Sequence, residues 1–535
     1  MKIAFVDKFR RKTPQAVEFR RARLTRKGGD SWLLMVAFGL IALFLGMVGG
    51  LGSPVILLVI GSAIFSLMLL FLVNFYTLFW ILAIVTFIVQ GSAVYFLGIN
   101  SATWIAVGMA IMFFFRIVLE LALRSIPAAD LKPSGVRGTA VIVTATLFIV
   151  CFLASIVLNH LPVAQILAAG KAALPMYGLL FSLFWIRWDE AVLLKFWKFA
   201  IWIMILEVPV VLLQHFAYGS NGKFDSVVGT FGGTPGSGGN SAFLVLFTIL
   251  AITYATARWD KGLMSMRMVV AIFMCGFAII LLGEVKAAFI WLPLSMFWVL
   301  RRRILKNVLG FLAFAIFISM FMLVTYEVYN ALYWNNAVDK VNSLSGKFQQ
   351  GGGYFFDPNN VDYRTGEISR GASVAIWFRD LNATMPKRLL GFGPGASRPA
   401  GLVGTAGVVA KRYAPLHLNA SALAILLWDT GILGAIAFTG ILLSATGTVF
   451  LYLRRPQENL ERTVIMETSF PILLIFISLI IYNRAVMEEP TTELLLMFCL
   501  GNIVQFCRFN SILESMRPNE ATNGNVKKDE LLAFS

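Results

Sequence analysis

Charged and reactive side chains are scarce in this chain. Only 14% of its 535 residues are charged and 58% are hydrophobic, whereas about a quarter of the residues of a soluble protein are charged. The chain has three histidines and four cysteines, and all four cysteines lie within apolar runs, which indicates neither a disulfide framework nor a spaced zinc site. These shortages exclude an ordinary cytosolic domain and point to a membrane protein.

Acidic residues are scarcer than basic ones. The chain has 28 Asp and Glu against 45 Lys and Arg, a formal net charge of +17. In a membrane protein such an excess usually marks loops that stay in the cytoplasm, so nucleic-acid binding is not needed to explain it. Residues 1–30 carry ten of the basic side chains and are predicted to form a cytoplasmic arm that lies against anionic lipid.

Long apolar runs dominate the rest of the chain. A run of about 20 residues can cross the roughly 30 Å hydrocarbon core of a bilayer. Fourteen such runs lie near 32–50, 54–73, 75–97, 102–122, 138–158, 174–187, 196–216, 240–257, 267–283, 287–301, 308–328, 431–453, 469–487 and 491–507. Alternation from a cytoplasmic start places every short basic loop inside. The sequence therefore predicts an all-α integral membrane protein with eleven transmembrane helices in 31–328, three in 431–507, and both termini in the cytoplasm.

One long hydrophilic stretch, residues 329–430, falls on the outer side in this topology. It holds ten basic and six acidic residues, so it is either a solvated lid of mixed charge or an anion site, since arginine binds phosphate oxygens with a planar fork. Residues 508–535 are predicted to be a cytoplasmic tail whose end is disordered. No cytoplasmic segment is long enough to fold as a nucleotide-binding domain.

Two glycine-rich segments lack the features of nucleotide-binding loops. Gly229–Gly239 has no Lys-Ser/Thr after its glycines, and Gly391–Gly395 has no preceding strand and contains a proline without a backbone donor. Both are interpreted as turns where the backbone makes a close approach. No HExxH, CxxC or paired-histidine spacing occurs, so we expect no metal.

Ionisable residues within or beside the apolar runs need their own explanation. Arg116 and Glu120 have the i, i+4 spacing of a structural salt bridge. Glu207 lies deep in a run and has no obvious local partner. Three further ionisable residues lie together in a short outer turn, which we interpret as interfacial: Arg484, Glu488 and Glu489.

Four segments between residues 225 and 445 occur in a distinctive order. They are Val228-Gly-Thr-Phe-Gly-Gly-Thr-Pro-Gly, the turn Gly283-Glu-Val-Lys-Ala-Ala-Phe, Arg370 followed by Pro386-Lys-Arg-Leu-Leu-Gly-Phe-Gly-Pro-Gly, and His417-Leu-Asn leading to Asp429-Thr-Gly-Ile-Leu-Gly. In their order and their spacing to the large loop, these segments resemble the O-antigen ligase and polymerase superfamily of bacterial envelope glycosyltransferases.

The resemblance implies a GT-C-like fold in the bacterial inner membrane, with residues 329–430 in the periplasm. It implies a metal-independent, inverting glycosyltransferase without a cofactor, which moves a preassembled glycan from undecaprenyl pyrophosphate to an acceptor. We favour a polymerase of O-antigen or exopolysaccharide repeats, for which the acceptor is a glycan. A ligase to lipid A-core and a protein O-oligosaccharyltransferase remain open. Membrane lipid and a chain-length regulator are further expected partners, and nucleic acid is not expected.

The resemblance also implies roles for individual residues. His417 is the expected general base, since an imidazole with a pKa of about 6.5 can accept a proton from a hydroxyl at neutral pH. Four cations are expected to bind the donor pyrophosphate: Arg370, Arg379, Lys286 and Arg398. Three residues are expected to support the site: Glu284, Lys223 and Asn419. Lys286 occupies a position where the family often has arginine.

A transporter is the competing class. Fourteen spans, buried charges and glycine-rich breaks also describe a flippase for lipid-linked oligosaccharides or a secondary carrier. A carrier rarely needs one long outer loop that places a single histidine among arginines. We therefore favour the enzyme over the transporter.

Overall fold

The computed structural model describes ten stretches of the chain. They are residues 66, 68–123, 138–218, 227–233, 240–283, 285–334, 352–353, 355–399, 406–455 and 459–516. The chain divides into a unit of residues 1–74 and a unit of residues 75–535. All the contacts below lie within the second unit.

The described residues are about 80% helical and contain no β-strand. The first nine helices are α1 Phe75–Leu97, α2 Asn100–Ala122, α3 Thr139–Asn159, α4 Val163–Ala173, α5 Tyr177–Trp185, α6 Glu190–Ala217, α7 Ser241–Asp260, α8 Met266–Gly283 and α9 Ala288–Lys306. The others are α10 Val308–Leu332, α11 Arg370–Arg379, α12 Met385–Leu390, α13 Val408–Arg412, α14 Ala422–Leu453, α15 Leu460–Tyr482, α16 Ala485–Glu488 and α17 Pro490–Met516. The prediction of an all-α fold is confirmed.

Ten of the described helices are long and apolar enough to cross a membrane, as in a multi-pass membrane protein. They are α1, α2, α3, α6, α7, α8, α10, α14, α15 and the part of α17 up to Arg508. The count of fourteen spans is not confirmed. The runs 32–50 and 54–73 lie wholly or mostly outside the described residues, and the run 174–187 forms only α5, whose nine residues rise about 14 Å.

At one end of the bundle, which we call the basic end, ion pairs join different helices. Arg258 of α7 meets Glu461 of α15 with 2.5 Å between Nη1 and Oε2. Glu467 of α15 lies 3.0 Å from the Lys261 ammonium that follows α7. Side chains with long apolar stems and charged tips can reach polar partners from such helix ends. The basic residues that follow α7 and the acidic residues that begin α15 therefore lie at the same end.

At the opposite end, which we call the loop end, α15, α17 and α14 are joined through a short turn. The Ala422 N–H that begins α14 donates to the Asn483 carbonyl just after α15, over 3.1 Å. The side chain of Ser421 caps α14 by accepting from the Ala424 N–H, as expected of an N-cap serine. The helix therefore begins nine residues before the predicted start at residue 431, because the apolar run continues upstream of Asp429.

The helix α14 is broken at Gly431. This residue has φ +69° and ψ −169°, which is non-helical. A Cβ atom there would lie 2.4 Å from the Leu389 carbonyl oxygen and 2.6 Å from the Gly391 nitrogen. Only glycine combines this dihedral with so close a backbone approach, and the break makes room for the segment that follows α12.

Candidate functional site

A turn formed by residues 482–489 lies at the centre of the loop end. Asn483 shapes it, because its side-chain oxygen accepts from the Ala485 N–H over 3.0 Å, an Asx-type turn that starts α16. Pro490 then begins α17, where its missing N–H costs no helical hydrogen bond. Two long helices therefore approach and leave this turn within eight residues.

Glu488 in this turn joins three side chains. Its carboxylate lies 3.3 Å from Nε of Arg398 and 3.2 Å from Nε of Arg484, and the Asn419 amide donates to it over 3.4 Å. Arg398 also donates from Nη2 to the Met487 carbonyl over 3.2 Å. Two arginines separated by 86 positions of sequence thus share one partly buried carboxylate.

Arg370 reaches the same turn from another part of the large loop. It begins α11, and its Nε donates to the Tyr482 carbonyl over 3.3 Å. Ser369 caps α11 by accepting from the Ala372 N–H over 2.9 Å. We call the five side chains Arg370, Arg398, Asn419, Arg484 and Glu488 the turn cluster.

The backbone around Arg398 is held by the broken helix. The Asp429 carboxylate accepts from the Gly395 N–H over 2.7 Å, from the Ser397 N–H over 3.1 Å and from the Ser397 hydroxyl over 2.9 Å. The backbone carbonyl of Asp429 also accepts from Gly393 N–H over 3.2 Å. Asp429 thus fixes the segment that carries Arg398.

A narrow crevice of about 10 Å³ lies beside Arg398. Its lining includes Phe152 of α3, Ala169 of α4, Leu426 of α14 and the side chains of Arg398 and Asp429. Its walls are therefore mostly apolar, with a guanidinium at one side. The Asp429 carboxylate lines the crevice together with the Arg398 guanidinium, and the space is large enough for about one water molecule.

The glycine-rich segment 227–233 packs inside the bundle near this turn. The Gln214 amide clamps it: its oxygen accepts from the Val228 N–H over 3.0 Å and the Gly229 N–H over 2.7 Å. The Glu207 carboxylate accepts from the Thr230 N–H over 3.0 Å and contacts the Thr230 hydroxyl. Glu207 therefore has a buried partner, Thr230, that lies 23 residues further along the chain. The sequence of its own helix does not indicate this partner.

The same segment reaches the turn through Phe231. Its carbonyl accepts from the Asn240 amide over 2.7 Å and from the Thr491 hydroxyl over 3.3 Å. For residues 229–233 the interpretation as a close backbone approach is confirmed, since a Cβ at Gly91 of α1 would lie 2.0 Å from the Thr230 carbonyl oxygen. Residues 234–239 of the same stretch lie outside the described residues.

Two ionisable groups beside the turn cluster have altered pKa values. Burial raises the pKa of the Glu489 carboxyl to about 7, and the neighbouring Glu488 charge adds to the rise while the Asn240 hydrogen bond opposes it. Burial lowers the pKa of the Lys171 ammonium, against the opposite effect of Glu489. A buried carboxyl with a pKa near neutrality and charged neighbours is a feature of binding and catalytic sites, and also of structural ion-pair networks.

The structure brings together only some of the predicted site residues. Arg370, Arg398 and Asn419 belong to the turn cluster. His417 lies two residues before Asn419; its side chain is exposed and its N–H donates to the Gly366 carbonyl over 2.8 Å. Arg379 is exposed at the end of α11, and within the described part of the chain no hydrogen bond or ion pair joins it to the turn cluster.

The remaining predicted residues lie elsewhere or are not described. Lys286 is exposed just before α9, five residues ahead of Trp291, whose ring packs 5.6 Å from that of Tyr482. Glu284 and Lys223 lie outside the described residues. Of the described side chains, no group of three or more His, Cys, Asp and Glu is arranged to hold a metal ion.

Sequence reasoning missed the role of the 482–489 turn. Arg484 and Glu488 carry a visible signal, the i, i+4 spacing of opposite charges, but that spacing also suits an isolated interfacial turn. Lys171 and Asp429 carry no signal of their own, because each gains its role from residues far along the chain.

The fold and the turn cluster define a class: a multi-pass α-helical membrane protein with a polar, arginine-containing site at one end of the bundle. No protein-family model matches the chain, and no curated protein matches it.

Proposed function

We propose that this protein is an inner-membrane glycosyltransferase that transfers an undecaprenyl-pyrophosphate-linked glycan to a glycan acceptor at the periplasmic face. The single observation that carries the proposal is the meeting of Arg370 and Arg398 with Arg484 on one turn at a helix-bundle end. A lipid pyrophosphate enters from the bilayer and presents its anion at that depth. Guanidinium groups bind phosphate oxygens strongly and directionally.

The turn cluster supplies the charge that the reaction needs. The acceptor oxygen attacks the anomeric carbon of the donor, the bond from that carbon to the pyrophosphate oxygen breaks, and undecaprenyl pyrophosphate leaves. Negative charge grows on the departing pyrophosphate, and Arg370 and Arg398 stabilise it there. Attack from the face opposite the leaving group inverts the anomeric centre.

His417 takes the proton from the acceptor hydroxyl in this scheme. Its exposed side chain leaves room for an acceptor, and it lies two residues from the turn cluster through Asn419. Asn419 keeps this segment attached to Glu488. Lys286 would contact outer phosphate oxygens, and Glu284 and Lys223 would support it. Arg379 has no part in this scheme, since no hydrogen bond or ion pair among the described residues joins it to the turn cluster.

A comparison of His417 variants in purified protein tests the enzyme. With a lipid-linked glycan donor, His417→Ala and His417→Gln should each lower the transfer rate on the order of 10² to 10⁴, with donor binding and melting temperature unchanged. Exposed Tyr363, in the turn that contacts His417, offers a matched control as Tyr363→Ala. Near-wild-type transfer by either His417 variant would return His417 to a structural role.

The product profile of a deletion strain distinguishes the acceptors. Loss of polymer length with single repeats remaining supports the polymerase that we favour. Full-length polymer accumulating on undecaprenyl pyrophosphate supports the ligase, and normal glycolipid with unglycosylated protein supports the protein O-oligosaccharyltransferase. Donor retained on the cytoplasmic face supports the flippase.

The proposed topology places residues 329–430 in the periplasm and both termini in the cytoplasm. Single cysteines are introduced at Ser345 and Ser511 and exposed in intact cells to a reagent that cannot cross the inner membrane. The cysteine at 345 should react, and the cysteine at 511 should react only after the membrane is permeabilised. The same side for both would contradict the topology and the periplasmic site.

A further inference from the structure

Large apolar side chains are exposed along the connection between α11 and α12. The exposed fractions are 64% for Phe378, 99% for Leu381 and 71% for Met385. Scattered apolar residues are common on protein surfaces, but a contiguous set within eight residues indicates an interaction surface. We call these three side chains the apolar ridge.

The ridge is held in place by a folded connection. The Arg388 guanidinium donates to the Phe378 carbonyl over 3.2 Å and to the Asp380 carbonyl over 3.1 Å. The Asp380 carboxylate in turn lies 3.0 Å from Nη1 of Arg412. The backbone at the ridge therefore has defined polar partners, and the exposure of its side chains is a property of the fold.

The ridge is linked through α12 to the break in α14. Leu389, four residues after Met385, has its carbonyl against Gly431 at the break in α14. Just beyond that break, the exposed fractions are 43% for Leu433 and 62% for Ile436, on a helix long and apolar enough to span a bilayer. Leu389 is itself 39% exposed, so it continues this exposed apolar surface toward the ridge.

Exposed cationic charge lies next to the ridge. Arg379 follows Phe378 directly, precedes Leu381 by two residues, and is exposed. Apolar side chains beside a cation match the boundary between acyl chains and anionic headgroups. Because this exposed apolar surface continues onto a helix long and apolar enough to span a bilayer, lipid is the occupant that matches it.

We propose that the apolar ridge inserts into the lipid leaflet at the loop end, with Arg379 at the phosphate groups of that leaflet. The connection then acts as an interfacial anchor beside the bundle. Because α12 leads directly into the segment that carries Arg398, the anchor sets the height of that segment relative to the lipid surface. The inference does not depend on the proposed glycosyltransferase activity.

Depth-dependent quenching in nanodiscs tests the insertion. The full chain carries one environment-sensitive fluorophore at Leu381→Cys, with Cys275→Ser as the background because Cys275 is the partly exposed native thiol. Tyr363→Cys is the matched control, since Tyr363 is 69% exposed on a turn of the same loop. Lipids brominated near the headgroup should quench the label at 381 at least about twice as strongly as the label at 363.

Each outcome decides part of the proposal. Equal, weak quenching at both positions would overturn the insertion. A label at 381 that is shielded from water without lipid quenching would indicate a protein occupant and would also overturn it. In nanodiscs containing phosphatidylglycerol, Arg379→Gln should weaken quenching at 381, and unchanged quenching would remove Arg379 from the proposal. Because no glycan transfer is measured, these results stand whether or not the chain is a glycosyltransferase.

Discussion

The charged side chains at the two ends of the helix bundle have different partners. At the basic end, cations meet carboxylates from other helices, as in Arg258 with Glu461 and Lys261 with Glu467. At the loop end, Arg398 and Arg484 share the single Glu488 carboxylate, while Arg370 meets a backbone carbonyl. The pairs at the basic end join neighbouring helices, whereas at the loop end two guanidinium groups meet at one carboxylate of a short turn, close to the further carboxyl groups of Asp429, Glu489 and Glu493.

The backbone differs between the two ends as well. The described contacts of the basic end come from side chains on regular helix ends. The loop end contains the break at Gly431, the buried segment 227–233 and the 482–489 turn. Nonhelical backbone at membrane depth is tolerated where protein satisfies its polar groups, and such places in membrane proteins are commonly functional.

The largest effect is expected from removing the break in α14. Gly431→Ala should destabilise the protein by about 4 kcal/mol, because a Cβ meets two backbone groups and the left-handed φ is unfavourable. Thermal unfolding in detergent measures the loss. Gly447→Ala in the same helix is the control, since a Cβ there meets nothing within 4 Å; similar melting temperatures for the two variants would contradict the importance of the break.

At the basic end, Glu467→Gln should cost about 3 kcal/mol of stability. The change leaves Lys261, which is 12% exposed, without its closest charge partner across the helices. Arg303→Gln removes an outlying pair with Asp260 and should cost less than about 1 kcal/mol. Donor binding should stay unchanged in both variants, and a loss of binding in Glu467→Gln would contradict the structural role of this end.

Glu489 should make the stability of the loop end depend on pH. Its pKa is raised by burial from 4.5 to about 7, so the folded protein holds this proton more tightly than the unfolded chain. Stability from this group is therefore fully present below about pH 4.5 and is lost as the pH rises through 7, by up to about 3 kcal/mol.

Unfolding measured from pH 5 to pH 8 checks this dependence. The charged groups that act on Glu489 are Lys171, Arg484, Glu488 and Glu493, and all remain in Glu489→Gln. That variant should lose the Glu489 part of the pH slope. An unchanged slope in the variant would assign the pH dependence to another group.

A smaller effect is expected from Asp429→Asn. The amide keeps one acceptor oxygen but turns an NH₂ group toward the N–H donors of Gly395 or Ser397, which should cost about 2 kcal/mol. Displacement of Arg398 should also weaken binding of an isoprenyl pyrophosphate about tenfold. The control is Asp362→Asn in an exposed turn, where the Asp362 carboxylate also accepts a backbone N–H; this change should cost less than about 0.5 kcal/mol of stability. Equal losses of stability in the two variants would contradict the positioning role of Asp429.

Local patterns predicted the helices well. Most apolar runs became helices with similar bounds, and the i, i+4 pair Arg116 and Glu120 forms the expected ion pair at 2.7 Å. Differences arose where a polar residue interrupts a run, as at Asp429. The sequence suggests a helix boundary there, and the backbone is indeed broken two residues later at Gly431. The segment upstream of the break is also helical, because the segment after α12 satisfies the Asp429 carboxylate.

The sequence by itself determined the helical class, the many apolar spans and the residue types of the candidate site, because apolar runs and i, i+4 spacings are local properties. Tertiary structure decided which polar groups meet. Arg370 lies 112 positions from Tyr482, and Arg398 lies 89 positions from Met487, so their meeting depends on how α14, α15 and α17 pack. A buried polar group forms a hydrogen bond with a partner that helix packing places beside it. A local sequence pattern does not indicate which partner that is.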